Sequence, residues 1–543
     1  MNRRFSLLIC FCALLVLMIL VGTCGTQPVR LSQGKTLEMF PLANSCIDCH
    51  DNIHAPDGSH YSFVADWQQS LHALSAVDPL FLAVARSETM ILPAAGDLIQ
   101  TVCAGCHLPM ADLAAVALGK SRSFLDYATV PGNEFYEVYQ DGISCMICHQ
   151  LTEEPIAGNT NYLGSRLSID LTPPRSGQVR NLYGYHQIGE EGQRSKMEAL
   201  GYRSVQSDAG RKSIICSVCH TLYTDSFTIE GQPTGTQLPE QVVFFEWLSS
   251  SLADQSCQSC HMPVITNAGP LSNEKIADPV LDRIGSHFLD GVNFYMLEML
   301  GGIHGPFDDG IAVIADLLQN RTATVTASGT LGQQGGSNML ALDVRIDSIT
   351  GHKFPTGFPS RRAWLHVKVQ DENNSTIYES GAYLNNGMIV DNANDLTKGA
   401  FEPHYEQIDQ PGQVQIYEAV MIDSTGKATT NLLQGVTYGK DNRLLPPGFS
   451  KTSVPPDIAV VGDALNDRDF IGGSDITRYR IALPGTVTRA AVTVELLFQP
   501  IGYRFLENLK DYPSAEQAAL AGLVARTPNT PMVIDGTQLT ITR

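Results

Sequence analysis

The feature that most constrains this chain is a short pattern, Cys-x-x-Cys-His, which occurs five times in its first half. The positions are Cys46, Cys49 and His50; Cys103, Cys106 and His107; Cys145, Cys148 and His149; Cys216, Cys219 and His220; and Cys257, Cys260 and His261. The other three of the 13 cysteines are Cys10, Cys12 and Cys24. No cysteine therefore remains for a disulfide bond after residue 24.

Cys-x-x-Cys-His is typical of covalent c-type haem attachment. The two thiols lie on one helical turn and can bond to both vinyl groups of one porphyrin, while the histidine ligates the iron from the same side. Zinc sites would use paired Cys-x-x-Cys without an obligatory histidine, and a thioredoxin-type motif occurs once in a chain. The sequence therefore predicts five c-type haems, and hence iron, as cofactors.

The motifs follow one another closely, so little polypeptide is available to enclose each porphyrin. We expect the porphyrins to supply much of the core and to lie close enough together to exchange electrons. Between the motifs the sequence predicts short helices, for example at VDPLFLAVARSETM and EQVVFFEWLSSSLADQ, joined by loops rich in glycine and proline. The predicted first domain is a mostly-α and irregular pentahaem cytochrome c domain.

The histidines outside the motifs are candidates for the second axial ligand of each iron. The motif fills one axial position, and nine further histidines remain for five irons. Methionine is the rival ligand, but Met110 and Met262 follow their motifs too closely to reach the far face of the same haem. His54 is too near His50 to reach the far side of the same iron, although it could reach a neighbouring haem. His60 and His304 are reserves, and His366 is predicted to point outward from a strand. The favoured distal ligands are His72, His186, His287, His352 and His404.

The second half has a different pattern, with short runs that alternate apolar and polar residues. Examples are LALDVRIDSI, VQIYEAVMI and AAVTVELLF, separated by Gly, Asn, Asp and Pro. These runs predict an antiparallel β-sandwich-like domain. The predicted organisation is a leader at 1–24, the pentahaem cytochrome c domain at 25–318, and at 319–543 a β-sandwich-like domain that donates distal haem ligands.

One segment of the second half, ITGHKFPTGFPSRRAW at 349–364, has an unusual composition for a turn between strands. Its prolines restrict φ and its glycines allow tight bends. Lys353, Arg361 and Arg362 are expected to pair with haem propionates. We therefore expect this loop to present His352 to an iron attached in the first half; the alternative is a hairpin with a hydrated histidine.

The first 24 residues indicate export. Two arginines precede an apolar run from Phe5 to Val21 and then small residues, which is the layout of a secretory signal. Val21 to Cys24 also approximates a lipobox, in which Cys24 would be lipidated, and a retained single-span anchor is the other interpretation. The expected location is the periplasm or the outer cell surface of a bacterium, either free or tethered to the membrane.

The formal net charge of −20 disfavours binding to nucleic acid and favours partners with basic docking patches. The expected partners are redox proteins or quinol-linked membrane complexes that donate and accept electrons. Whether the chain forms an oligomer is left open by the sequence.

Residues 40 to 310 resemble the cytochrome c-552/c-554 group of multihaem cytochromes. The likeness rests on the five motifs, on the W-x-x-S-x-H-A element formed by Trp67, Ser70, His72 and Ala73, and on the CHMP element that begins at Cys260. The HKFPTG element with a trailing β-domain is similar to larger cytochromes of that superfamily. The resemblance implies haems with two histidine ligands and electron transfer.

Three functions are compatible with this sequence. The favoured one is an electron carrier without catalytic residues. The alternative is a reductase or oxidase of nitrite, hydroxylamine or a sulfur oxyanion, with one open iron. All five motifs keep histidine, whereas the nitrite reductase family has a lysine in one motif. The hydroxylamine-oxidising type needs a tyrosine cross-linked to its haem, and Tyr183, Tyr185 and Tyr295 are candidates for that cross-link. The third is a cytochrome subunit that exchanges axial histidines between chains.

Overall fold

The computed structural model describes most of the chain. It covers residues 36–126, 130–151, 169–172, 179–186, 197–273, 281–334 and 337–543. All 14 histidines and all ten motif cysteines lie in these ranges. The predicted leader at 1–24, including Cys24, lies outside the described residues, so the secretory signal and the lipid anchor stay predictions.

Short helices and turns form much of the described first half. The carboxylate of Asp78 accepts backbone hydrogen bonds from Leu80 and Phe81, and this cap begins α3, which has a proline in its first turn. The helices are α1 Ile47–His50, α2 Phe63–Gln68, α3 Pro79–Ile91, α4 Gly96–His107, α5 Pro109–Ala117, α6 Tyr136–Gln140, α7 Cys145–Cys148, α8 Ile214–Ser217, α9 Val243–Leu248, α10 Cys257–His261, α11 Phe294–His304 and α12 Asp308–Asn320.

Two-stranded sheets alternate with these helices. The paired strands are β1 Ile53–His54 with β2 His60–Tyr61, β3 Arg180–Gly184 with β4 Tyr202–Gln206, β5 Leu222–Phe227 with β6 Pro233–Gln241, and β7 Val264–Gly269 with β8 Leu281–Gly285. The β3–β4 pair is parallel and the other three are antiparallel. Helices are present as predicted, but the description "mostly-α" does not fit the described residues of this half well.

The second half forms two larger sheets that are antiparallel except where β13 pairs with β16. One sheet has the order β13-β16-β10-β9, and the other has the order β15-β14-β11-β17-β18, with β12 also paired to β11. The elements are β9 Ala323–Gln334, β10 Ser337–Ser348, β11 Arg362–Gln370, β12 Thr376–Ser380, α13 Ala393–Leu396, β13 Gln407–Ile408, β14 Ile416–Ile422, β15 Thr437–Asp441, β16 Ser474–Leu483, β17 Arg489–Gln499, α14 Tyr503–Leu509, α15 Ala515–Val524 and β18 Met532–Thr542.

Alternating burial along the strands builds the core of this half. On β10, Leu342, Val344 and Ile346 are fully buried, and the residues between them are more exposed. Val367 of β11 and Val494 of β17, from the other sheet, belong to the same buried cluster. The predicted antiparallel sheets are therefore present, with apolar faces that share one core.

The core continues from the second half into the first. Tyr295 of α11 and Ile314 of α12 pack in the cluster that contains the strands. At another contact, Arg86 of α3 forms a 2.8 Å ion pair with Glu516 of α15. The chain changes from α12 to β9 close to the predicted boundary at 318 and 319, but no gap in the apolar packing marks this boundary. The domain limits stay predictions.

Within the described residues, no single helix is long and apolar enough to cross a bilayer. The helices Pro79–Ile91 and Pro93–His107 reach that length and composition only together, and a bend of 115° separates them.

Candidate haem-binding sites

Each of the five motifs lies on a helical turn or at the end of a helix. Three of them coincide with α1, α7 and α10, one ends α4, and one begins in α8. Residues three apart on a helix lie on one face, so both cysteines of a motif point to the same side. None of the ten motif cysteines is in a disulfide bond. The local structure is therefore compatible with attachment of one porphyrin at each motif.

Backbone carbonyl groups hold four of the motif histidines in a fixed orientation. Nδ1 of each ring lies within hydrogen-bond distance of a carbonyl oxygen that belongs to a distant part of the chain. The pairs are His50 with Leu271 at 2.9 Å, His107 with Ser75 at 3.2 Å, His149 with Tyr183 at 2.9 Å and His261 with Asp290 at 2.7 Å. When Nδ1 carries the proton and donates it to the carbonyl, Nε2 keeps its lone pair for a metal ion.

Three motif histidines face a second histidine at a regular spacing. The ring centres of His72 and His220 are 6.2 Å apart, those of His149 and His287 are 6.3 Å apart, and those of His261 and His352 are 6.1 Å apart. Two metal–imidazole bonds of about 2.0 Å, each extended by about 1.1 Å to the ring centre, would separate two rings on opposite sides of one metal ion by about 6.2 Å. The three observed spacings agree with this distance.

The distal rings of these pairs come from segments that the sequence singled out. His287 and His352 also place Nδ1 near backbone carbonyls, of Gly285 at 3.2 Å and Lys353 at 2.9 Å. His72 was predicted on a helix, but it lies in the turn after α2, and its Nδ1 is buried without a hydrogen-bond partner. In the same element, the indole of Trp67 donates to the carbonyl of Ile143, which anchors the end of α2 beside the third motif.

The surrounding protein keeps these imidazoles neutral. Burial lowers the pKa of His72, His107 and His261 to about 4 and that of His287 to about 3. Burial also lowers the pKa of His352. Neutral imidazole is the form that binds a metal ion, so these rings are in the ligand-competent state at neutral pH.

The attachment sites lie next to one another. A hydrogen bond between the thiols of Cys46 and Cys145 lowers the pKa of Cys46 and raises that of Cys145, which joins the first motif to the third. Similar thiol contacts raise the pKa values in the fourth motif: Cys219 contacts Cys106 of the second motif and Cys216 contacts Cys257 of the fifth.

The third motif is also close to the fourth. Hydrogen bonding and burial are the main causes of the raised pKa of Cys216 and of Cys219, and the nearby charge of Cys148 raises both pKa values further. The five sites therefore form one connected group, in which the fourth motif neighbours the second, third and fifth. Porphyrins bound at these sites would lie near one another, as the close spacing of the motifs predicts.

The loop that carries His352 packs against the segment that leads to the fifth motif. Gly351 lies against the indole of Trp247 in α9, and a Cβ at this glycine would be 3.5 Å from that ring. The hydroxyl of Thr356 donates to the carboxylate of Glu246 at 2.6 Å. These contacts fix the loop in the position from which His352 faces His261.

The cations of this loop differ from the prediction. Lys353 is fully buried and pairs with Asp441 at 2.7 Å, and Arg362 pairs with Asp395 at 2.8 Å, so neither side chain is available to a propionate. Arg361 has no carboxylate within ion-pair distance among the described residues and donates to the backbone carbonyl of Thr356. Burial lowers the pKa of Arg361 to about 10.

The structure does not support His404 as a haem ligand. His404 is buried inside the β-rich half, with Nε2 3.1 Å from Asp467 and Nδ1 3.0 Å from the side-chain amides of both Gln415 and Asn442. Both ring nitrogens form hydrogen bonds within this network, which does not favour His404 as a haem ligand. These three partners lie in separate loops that are distant in sequence, so local sequence patterns do not predict them.

The remaining histidines are not paired with a motif ring. His186 lies after β3, with Tyr185 at 5.1 Å, and its role as a distal ligand stays a prediction. The rings of His54 and His60 contact each other at 4.3 Å across β1 and β2. His366 lies on β11 between Glu379 and Glu495, each at 3.0 Å, as expected for an outward strand position.

The residues around the motifs fit a large apolar group. Val102 precedes Cys103, Val264 follows the CHMP element, and Ile349 precedes the His352 loop; all three are exposed although valine and isoleucine are usually buried. The thiol pairs could bond to the vinyl groups of a c-type haem and the paired imidazoles could ligate its iron, while apolar side chains could pack against the porphyrin. The residues present are therefore compatible with haem.

Comparisons with known proteins add one similar structure. The crystal structure of a penta-heme cytochrome c552 from Thermochromatium tepidum is similar to this chain, with a TM-score of 0.49 and 16% sequence identity over 92% of this chain and 100% of that chain. No protein-family model and no curated protein sequence matches the chain. Values this low assign neither a fold nor a function, so the functional argument rests on the motifs and on the ring geometry.

Proposed function

We propose that this protein is an exported multihaem c-type cytochrome that carries electrons through five covalently attached haems, most of them ligated by two histidines. The observation that carries this proposal is the spacing of 6.1 to 6.3 Å between a motif histidine and a second histidine at three of the five sites. Each pair joins residues that are distant in sequence, which a chance arrangement of buried histidines would not produce three times.

The motif cysteines would hold each porphyrin, and the paired histidines would ligate its iron. When bound, haem supplies one-electron exchange between ferric and ferrous iron. The chain's own contribution is to hold the imidazoles: backbone carbonyls orient Nδ1, and burial keeps the rings neutral. Iron that is closed on both sides by imidazole has no position for a substrate, which favours a carrier over an enzyme.

The location and the partners belong to the same proposal. The leader supports a periplasmic or outer-surface protein, either lipidated at Cys24 or anchored by its apolar segment. The net charge of −20 favours redox partners or quinol-linked membrane complexes with basic docking patches.

The test is a measurement of haem content and spin state in the purified full-length protein. We expect mass spectrometry and a pyridine haemochrome assay to give five haems per chain, and EPR to give low-spin ferric signals for at least three of them. A mature protein without bound tetrapyrrole would refute the proposal, and so would haems that are all high-spin.

A second candidate function rests on the second motif. None of the other 13 histidines, all of which lie in the described residues, faces His107 at the spacing of the three pairs. Instead, the ring of Phe81 stacks on the imidazole of His107 with ring centres 3.8 Å apart. An iron held by His107 would keep a position for an external ligand, as a reductase or oxidase of a small nitrogen or sulfur compound requires.

Carbon monoxide distinguishes the two functions. A carrier without an open iron would bind no carbon monoxide in its reduced state, whereas the second candidate would bind carbon monoxide at the second motif and show a matching high-spin ferric signal. In the second case, a C103A/C106A variant that keeps four haems would lose this binding. If the missing ligand comes from another chain, carbon monoxide binding would instead depend on protein concentration.

A further inference from the structure

Among the described residues, Arg361 is the one cation of the His352 loop without an acidic partner. Arg443, which lies beside the loop, pairs with Asp441 at 2.7 Å and with Glu246 at 2.8 Å. Lys353 and Arg362 have their own buried aspartates. Arg361 has no such carboxylate among the described residues, although a half-buried guanidinium usually has one.

The nearby carboxylates are already engaged by other groups. Glu246 accepts from Arg443 and from the hydroxyl of Thr356. Glu240, which lines the same pocket as Arg361, accepts from the hydroxyl of Thr224 at 2.6 Å. No carboxylate of the described residues therefore neutralises the positive charge of Arg361.

A glycine in the loop allows the guanidinium of Arg361 to pack closely against the backbone. Gly357 has φ of +82°, and a Cβ at this position would lie 2.7 Å from Nη1 and 3.4 Å from Cζ of Arg361. Any other residue would therefore be strained by its backbone conformation and would also clash with the guanidinium. Together with the hydrogen bond to Thr356, this contact fixes the side chain in one orientation.

The fixed guanidinium lies near two proposed haem sites. Burial is the main cause of the lowered pKa of His220 and of His352, and the charge of Arg361 adds to both shifts. His220 belongs to the fourth motif, and His352 is the partner of the fifth. Arg361 shares its loop with His352, the second imidazole of the fifth site, and its hydrogen bond to Thr356 fixes it to the part of the loop that Glu246 holds.

We propose that Arg361 binds a haem propionate at the fourth or fifth attachment site and raises the reduction potential of that haem. This proposal rests on the proposed function, since it requires haem at these sites. A planar guanidinium forms two parallel hydrogen bonds with a carboxylate, which no other cation provides. A fixed positive charge favours the ferrous over the ferric state, because reduction removes one positive charge from the iron.

The test compares Arg361→Gln and Arg361→Lys in the full-length holoprotein. The control is Arg345→Gln, the same change at a half-exposed arginine of β10 that pairs with Asp347. We expect R361Q to lower the potential of one haem, with a change of about tenfold in its reduction equilibrium, or about 59 mV for one electron. We expect R361K to cause a smaller shift, and R345Q none. The measurement is a spectroelectrochemical titration of haems resolved by their EPR or Soret signals.

A second readout separates loss of charge from misfolding. Loss of the guanidinium frees a carboxylate to take up a proton, so the affected haem in R361Q would gain a pH-dependent potential that the wild type lacks. Five attached haems and unchanged low-spin signals would show that R361Q is folded. Under those conditions, five unaltered potentials would overturn the proposal without affecting the proposed function. Absence of haem from the wild type would refute the proposed function itself.

An external anion is the other ligand that the guanidinium of Arg361 could bind. We would titrate nitrite and sulfite into wild type and R361Q while following the same potentials. Shifts that depend on the added anion in wild type and vanish in R361Q would overturn the propionate assignment. Reduction potentials that do not change when either anion is added would support the propionate assignment.

Discussion

The change of His352 to alanine tests how the two halves of the chain cooperate. His352 is on a loop of the β-rich half, yet its ring centre is 6.1 Å from that of His261 in the fifth motif. The two rings are nearly parallel, with an angle of 12° between their planes. Removal of the imidazole would leave an iron held by the fifth motif with one protein ligand. We expect that haem to change from low to high spin while the other four are unaffected.

The size of the effect follows from the number of haems. One of the five proposed haems corresponds to about one fifth of the total haem signal. The loss of its low-spin signal would appear in EPR, in the Soret band and in magnetic circular dichroism. Truncation of a half-buried side chain costs about 1 to 3 kcal/mol of unfolding free energy, so we expect the protein to fold. Because Lys353, Thr356 and Arg361 keep their contacts, the loop stays in place. Added imidazole should then restore the low-spin signal.

A matched control is the change of His366 to alanine. His366 is also in the β-rich half, but Glu379 and Glu495 hold both nitrogens of its ring on β11. We expect its spectrum to match that of wild type. An unchanged spectrum for H352A, with five haems attached, would show that His352 does not ligate iron. A loss of several low-spin signals at once would show instead that the loop has a general structural role.

Three further changes test other contacts. His404→Ala should cost about 2 to 3 kcal/mol of unfolding free energy, because Asp467 and two amides lose their partner, and should leave all haem spectra unchanged; denaturant titration and absorption spectra check this. Lys353→Met should cost about 1.5 to 3 kcal/mol, because buried Asp441 loses one of its two cationic partners and keeps Arg443, and a melting temperature equal to that of wild type would contradict this. Burial raises the pKa of Glu88 to about 7 in the folded state, so the folded protein binds more protons than the unfolded one between about pH 4.5 and 7, and stability falls as pH rises through this range. Glu88→Gln should reduce this slope in thermal melts, most clearly between about pH 6 and 7, because the pKa values of the buried carboxyls of Asp66, Asp78, Asp141 and Asp290 are raised only to about 6.

The sequence predicted regular elements well wherever periodicity was strong. All three quoted strand runs of the second half are strands, and VDPLFLAVARSETM contains α3. The stretch EQVVFFEWLSSSLADQ forms only the six-residue helix α9. The chain after α9 folds back over the indole of Trp247, whose N–H donates to the carbonyls of Leu252 and Gln255. Tertiary hydrogen bonds of this kind leave no periodic pattern, so local reasoning overestimated the helix.

The pairing of histidines was predictable only in part. His72, His287 and His352 were among the five favoured distal ligands, and the structure places each of them opposite a motif ring. Which motif each one faces depends on chain crossings that spacing does not reveal. His404 could not be assigned from its local sequence. A histidine between a proline and a tyrosine is compatible either with a metal ligand or with a buried hydrogen-bond network. Its partners are distant in sequence, so only the fold distinguishes these roles.

The pairing of His261 with His352 has a consequence for how the molecule assembles. The cysteines of the fifth motif are in the first half, whereas the second imidazole of that site is in the β-rich half. The same interface is held by the hydrogen bond from Thr356 to Glu246 and by the ion pair of Arg443 with Glu246. A bond from His352 to iron would therefore stabilise this interface as well as the cofactor, because a ligand that binds only the packed state favours that state. The β-rich half would then be needed to complete a haem site. This role would account for the histidine in a loop that joins two strands of the β-rich half.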